Sequence, residues 1–372
     1  VGSDAGAYRV MHAKGLEDEI RWMLDDDYEG DEDLFRGSQV PLVEPLRSQM
    51  RPVFKEAIKN ADIITLNIGS NDLFSYPLRM AVSGLNLSAL TPSDKFDDNV
   101  MCESLRYVAS HEIGHTIGLM HNMGGSYSFP IDSLRSPQFT QKYGTTPSIM
   151  DYARNNYVAQ PGDVERGVKL TPPDLGVYDI YAIEWGYRLI NGANTPEAEK
   201  PVLDSWIAKH EGDPMYEFGA QQVLGIVDPT DQTEDLGNDH ILASSYGISN
   251  LKILLNNLEQ WTLEKGERYD EVEKTYMEVA KQYGRYIKHV TPYLGGIRYE
   301  EIRQGDGKAS GKHYIGKDYQ KKAMLWLVNQ ALTYDTWLTP RALIDKLEIN
   351  MDENKKLRSQ IVSSLLNGTI LY

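Results

Sequence analysis

His111-Glu112-Ile113-Gly114-His115-Thr116-Ile117-Gly118-Leu119-Met120-His121-Asn122 holds three of the chain's eight histidines and one glutamate within twelve residues. On a helix His111 and His115 are four residues apart, so both rings leave the same face one turn apart. Two imidazoles in that register can share one zinc ion, with Zn–N distances of about 2.0–2.1 Å. Glu112 falls on the flank of that face, where a carboxylate can take a proton from an activated water. Gly118 explains how a third ligand comes from so near in sequence. A glycine at a helix C-terminus turns the chain sharply in a left-handed conformation and returns His121 to the metal. Three neutral imidazoles leave a fourth position open, which distinguishes a catalytic zinc site from a closed structural one.

Working outward, the pattern predicts one amphipathic helix from Met101 to about Leu119. A Gly-, Ser- and Pro-rich connection follows from Met123 to Pro147. Thr171-Pro172-Pro173-Asp174 predicts a helix start: a threonine cap, proline at the first helical position, and an acid three residues after the cap. The helix it opens runs to about Tyr187, with Leu175, Tyr178, Ala182 and Trp185 on one face. Beyond Thr195 the chain reads as predominantly helical, with helices at Pro196–His210, Ile241–Thr262, Tyr269–Ile287, Lys317–Thr333, Pro340–Leu347 and Lys355–Leu366. Turn-rich stretches around Gly295 and Gly305 separate some of them. Upstream, Gly15–Leu24 and Leu46–Asn60 have helical spacing. Ile63–Ile68 reads as a strand, and Ala81–Leu90 as a weaker one.

These motifs resemble those of the metzincin metallopeptidases. HEIGHTIGLMH matches their extended zinc signature. Ser148-Ile149-Met150-Asp151-Tyr152 has the Ser-Ile-Met-x-Tyr form of their tight methionine turn. Leu170-Thr171-Pro172-Pro173-Asp174 resembles the entry to their C-terminal helix. The nearest resemblance is to large bacterial Met-zincin proteases, over Met101–Tyr372, including TPSIMDYARNNYVAQPGD and DPTDQTEDLGNDH. The resemblance implies one catalytic zinc ion on His111, His115 and His121, with Glu112 as general base. It implies Met150 as the apolar floor of the site, Tyr152 as an outer ligand or oxyanion donor, and a peptide or protein as substrate. It further implies export to the periplasm, cell surface or medium, and leaves room for upstream domains of a longer precursor.

The fold expected is α+β. A metzincin-like catalytic domain occupies 1–190: an upstream sheet and helix part at 1–100, the zinc helix at 101–122, the Met-turn at 147–152 and a C-terminal helix at 171–187. The resemblance implies a twisted mixed sheet upstream of the zinc helix, whose edge strand pairs with extended substrate. A predominantly helical region follows at 191–372.

Composition narrows the partners. The 54 acidic against 38 basic side chains give a net charge of −16, which repels a phosphate backbone and argues against nucleic acid. No apolar run approaches the roughly 18 residues of a transmembrane helix. A single cysteine, Cys102, forms no internal disulfide; it reads as a packing residue. No basic-then-apolar leader opens at Val1, so the chain reads as a mature product or a segment.

Two other readings compete with a peptidase. One is a non-catalytic zinc module that binds peptide or glycan on the same scaffold, although such a module has no chemical need of Glu112 or Tyr152. The other starts from Gly69-Ser70-Asn71-Asp72, which resembles a block of the SGNH esterases. That family's nucleophile and Asp-x-x-His blocks are absent here, and without them the chemistry cannot run. The acidic run from Asp25 to Asp33 lacks the ligand spacing of an EF-hand and reads as a solvated loop. His12, His210, His240, His289 and His313 carry no ligand spacing. The stretch Glu234–His240 reads as turn and helix cap in preference to a cation site or a lining of the substrate cleft. Trp261, Tyr276, Tyr283, Trp326 and Trp337 read as core.

Overall fold

The computed structural model describes residues 98–348, apart from 154, 194, 221–227, 264, 301 and 303–308, together with the single position 359. They lie in one compact unit, Pro77–Tyr372. The upstream sheet and helix part expected at 1–100 lies outside the described residues, but for the first residues of α1. So do the Asp25–Asp33 run, the Gly69–Asp72 block and, except for one residue, the last helix.

The described residues are rich in helix, with one small sheet. Helix α1 is Asp98–Thr116. It stops at Gly118, which takes φ +87°. The Gly118 amide donates to His115 O at 3.0 Å and the Leu119 amide to Gly114 O at 3.0 Å, the paired bonds of a Schellman ending. The connection after it is more ordered than its composition suggests. It contains 3-10 turns at Ser126–Ser128 and Ile131–Arg135 and a short helix α2, Pro137–Tyr143. Phe129, Ile131 and Leu134 on these turns are fully or almost fully buried. Elements this short show no period in sequence.

Helix α3 is Val177–Tyr187, six residues later than its expected start at Thr171. The cause is tertiary. Thr171 donates its hydroxyl hydrogen to Glu103 on α1 and so caps nothing, while Asp174 is exposed and paired with Arg106. Each residue before a proline is also pushed out of the helical region. The cap is supplied instead by Asp179, whose Oδ2 accepts from the Gly176 amide at 2.7 Å. Leu175 therefore precedes the helix and is exposed.

The remaining helices are α4, Pro196–Ala208; α5, His240–Thr262; α6, Asp270–Val290; α7, Lys317–Thr333; α8, Asp335–Leu338; and α9, Arg341–Ile344. Between α6 and α7 the turn-rich stretch contains an antiparallel pair, β1 Ile297–Tyr299 and β2 Lys312–Tyr314, with Arg298 opposite His313. Asp239 caps α5, its Oδ1 accepting from the Ile241 and Leu242 amides at 3.1 Å, and Gly237 just before it takes φ +73°. The turn-and-cap reading of Glu234–His240 is what the backbone shows.

On α6, Val272, Tyr276, Val279, Tyr283, Tyr286 and Val290 recur at helical spacing and are almost fully buried. They meet Leu251, Leu254, Leu255 and Leu258 of α5 in one cluster. That cluster continues into Phe129, Leu134, Ala153 and Tyr157, so the α5–α6 core also carries the chain around the 147–152 turn. No helix among the described residues is long and apolar enough to cross a membrane.

Candidate metal centre

The end of α1 and the turn after it bring three imidazoles to one point. His111 Nε2 lies 3.1 Å from His115 Nε2 and 3.2 Å from His121 Nε2, and the last two are 3.0 Å apart. Tetrahedral zinc ligands stand about 3.3–3.4 Å from one another, so the triangle is close to the size the ion demands. Among the described residues this is the one cluster of three or more potential ligand side chains.

The tautomers fit as well. His111 Nδ1 is 2.7 Å from Ile149 O, and His115 Nδ1 is 3.0 Å from Leu119 O. A carbonyl can only accept, so each Nδ1 carries the hydrogen and each Nε2 turns a lone pair toward the centre. Burial lowers the basicity of all three rings. His111 is pushed down to about 4 and His121 to about 2, with the neighbouring imidazoles adding to the effect, and His115 is lowered too. Neutral imidazoles facing one point suit zinc.

Met150 is fully buried, and its carbonyl accepts from the backbone amide of Asn122, the residue after His121. Its Sδ sits so close to α1 that a Cβ on Gly114 would be 2.4 Å away. Tyr152 is half-buried, its ring edge-on to His121 at 4.7 Å and 5.4 Å from His111. Glu112 follows His111 on α1, about 100° around the axis, and is half-buried. Gly118 makes the turn that returns the chain to His121. The structure thus gathers His111, His115, His121, Met150 and Tyr152 in one place, with Glu112 at its flank.

Several residues at this centre carry no signal of their own in the motif. Asp179 accepts from Ser148 Oγ at 2.7 Å and from the Ile149 amide at 2.8 Å, so one carboxylate caps α3 and grips the turn. Ile149 in turn offers its carbonyl to His111. A helix expected from Thr171 hides Asp179 two turns inside it, whereas the structure places Asp179 in the first turn of α3. Asp151 is fully buried; its Oδ2 accepts from the Ser126 amide at 2.6 Å and from Thr146 Oγ1 at 2.8 Å. Burial, and then the nearby Asp235, push its carboxyl well above the usual range. Tyr107, one helical turn before His111, donates to the Asp151 carbonyl. Asn122 is fully buried and donates its backbone amide hydrogen to Met150 O at 2.9 Å.

The other described histidines lie elsewhere. His240 is buried against Asp235 at 2.8 Å, His289 is buried near Thr233 O, His313 pairs with Glu300 on the surface, and His210 stacks on Tyr216.

Comparison with curated proteins and with solved structures returned no match. Comparison with protein families returned one described as Met-zincin, matched over residues 93–372. That span contains the histidine triad, the methionine turn and every described helix, and the chain belongs to the Met-zincin family.

Proposed function

We propose that this chain is a zinc metallopeptidase that cuts internal peptide bonds, with His111, His115 and His121 as zinc ligands. The observation that carries the reading is the convergence of three Nε2 atoms within 3.0–3.2 Å, with two of the rings fixed by backbone carbonyls. Family membership supports it, since Met-zincin implies a zinc metallopeptidase. Zinc held there supplies Lewis-acid chemistry, lowering the pKa of water to about 7 and polarising the substrate carbonyl.

The chain's own groups do the rest. Glu112 accepts a proton from the attacking water and returns it to the leaving amine. The Tyr152 hydroxyl donates to the carbonyl oxygen as negative charge grows on it. Met150 keeps the floor apolar, and Gly118 and the Ile149 carbonyl keep the ligand geometry. The division into a catalytic part at 1–190 with an upstream sheet and a helical part at 191–372 belongs to the same proposal, as does export from the cell.

The test is digestion of casein and a peptide library by wild type and Glu112→Gln, with and without a chelator, alongside metal analysis. We expect one zinc per chain in both proteins and cleavage only by zinc-loaded wild type. Cleavage that survives chelation sinks the metal assignment. Cleavage retained by Glu112→Gln sinks the general base. Zinc and peptide binding without any cleavage would make the chain a non-catalytic binding module.

A further inference from the structure

Asn122 has no part in the chemistry above, yet it follows His121 directly and is fully buried. Its side chain is committed to a segment almost a hundred residues away. Oδ1 accepts from the Gly219 amide at 2.9 Å, and Nδ2 donates to Glu217 O at 3.3 Å. The Gly124 amide adds a third bond, to Gly219 O at 3.0 Å. A buried amide bonded on both edges is costly to disturb, so the chain after His121 and the segment 217–219 are held as one piece.

The segment is fixed from two further directions. The Asp231 carboxyl group packs so tightly behind it that a Cβ would meet Oδ1 at 2.1 Å on Gly219 and 2.5 Å on Gly124. The Glu217 carboxylate is 2.7 Å from Arg298 on β1. Between these two anchored residues stands Phe218, which is 47% exposed. One face of its ring lies nearly parallel to Tyr178, with centroids 6.2 Å apart. Tyr178 belongs to the first turn of α3, and its amide donates to Pro147 O at the base of the methionine turn. Phe218 is thus tied to His121 through Asn122 and to the methionine turn through Tyr178.

A single exposed apolar side chain on a surface needs no explanation. An exposed ring whose two neighbours are clamped to the residue beside a metal ligand is different. Its position is set by the site, and little conformational freedom remains to be lost when another apolar group packs on it. We infer that Glu217–Gly219 forms a wall of the substrate cleft, and that Phe218 selects peptides with a large apolar or aromatic side chain next to the cleaved bond. The inference rests on the metallopeptidase reading and names the class of substrate that site takes.

The test uses peptides ending in a hydroxamate, a zinc-binding group that fixes the register without turnover. Two series extend to either side of the hydroxamate, and the residue adjacent to it is Phe, Leu, Ala or Asp. Binding to zinc-loaded wild type, Phe218→Ala and Phe218→Leu is measured by calorimetry. In one series, wild type should bind the Phe and Leu peptides about tenfold more tightly than the Ala peptide. Phe218→Ala should erase that difference, and Phe218→Leu should keep most of it. Equal affinities in wild type, or discrimination untouched by Phe218→Ala, overturn the inference. Discrimination that persists in a chain unable to cleave any peptide would sink the peptidase reading and leave the wall standing. No hydroxamate binding at all would remove both.

Discussion

Ser148 donates its hydroxyl hydrogen to Asp179 at 2.7 Å, and through that bond the first turn of α3 holds the methionine turn. The same carboxylate accepts from the amides of Ile149 and Gly176, so three buried donors depend on one side chain. The path continues from Ile149 O to His111 Nδ1, which places Asp179 two hydrogen bonds from His111.

Asp179→Ala should therefore act on both stability and metal. Leaving three buried donors without their acceptor should cost about 2–4 kcal/mol in urea unfolding. Loosening the carbonyl that orients His111 should weaken zinc binding about 10–100-fold in competition with a chromophoric chelator. Unchanged zinc affinity in a destabilised variant would show that the turn keeps His111 in place without Asp179.

Gly118 and Gly162 make a matched pair for testing the turn into His121. Both take positive φ, +87° and +90°, and a Cβ on either meets nothing within 4 Å. An alanine at each should cost about 1–2 kcal/mol from backbone strain alone. Only Gly118→Ala should also lower zinc affinity, because only that turn returns a ligand to the centre. Equal zinc affinity in the two variants would refute the role assigned to Gly118.

The approach of α1 to Met150 gives a double-mutant test. A methyl group on Gly114 would lie 2.4 Å from Met150 Sδ, so Gly114→Ala must displace the side chain or the helix. We expect a loss of about 1–3 kcal/mol. Adding Met150→Ala opens the space, so the double variant should be less destabilised than the sum of its singles. Simple additivity in thermal unfolding would mean that the two residues do not share that space.

The parts legible in sequence were those whose signal is local. The spacing of His111, His115 and His121 around Gly118 depends only on one helix and its ending. Helix α7, Lys317–Thr333, has the bounds expected from the sequence. The start of α3 is not legible in the sequence because the Thr171 hydroxyl serves Glu103 on another helix, a contact with no trace in the local pattern. The strands at Ile297–Tyr299 and Lys312–Tyr314 are too short to show alternation. Asn122 was silent for the same reason as Thr171: its partners lie at Glu217 and Gly219, and only the fold brings them together.

Asp231 offers a test through pH. Burial, and then the charges of Asp228 and Asp235, raise its carboxyl from 3.8 to about 8. The folded chain therefore holds this proton between about pH 4 and 8, where the unfolded chain releases it. The native state binds more protons in that window, so the contribution of Asp231 to stability falls as pH rises through it. Asp231→Asn keeps the shape and carries no charge. The variant should gain stability relative to wild type as pH rises from 5 to 8, and the difference should level off above 8. Urea unfolding of both proteins at pH 5, 6.5 and 8 measures this. A difference that does not change with pH would mean that Asp231 ionises in the folded chain as it does in the unfolded one.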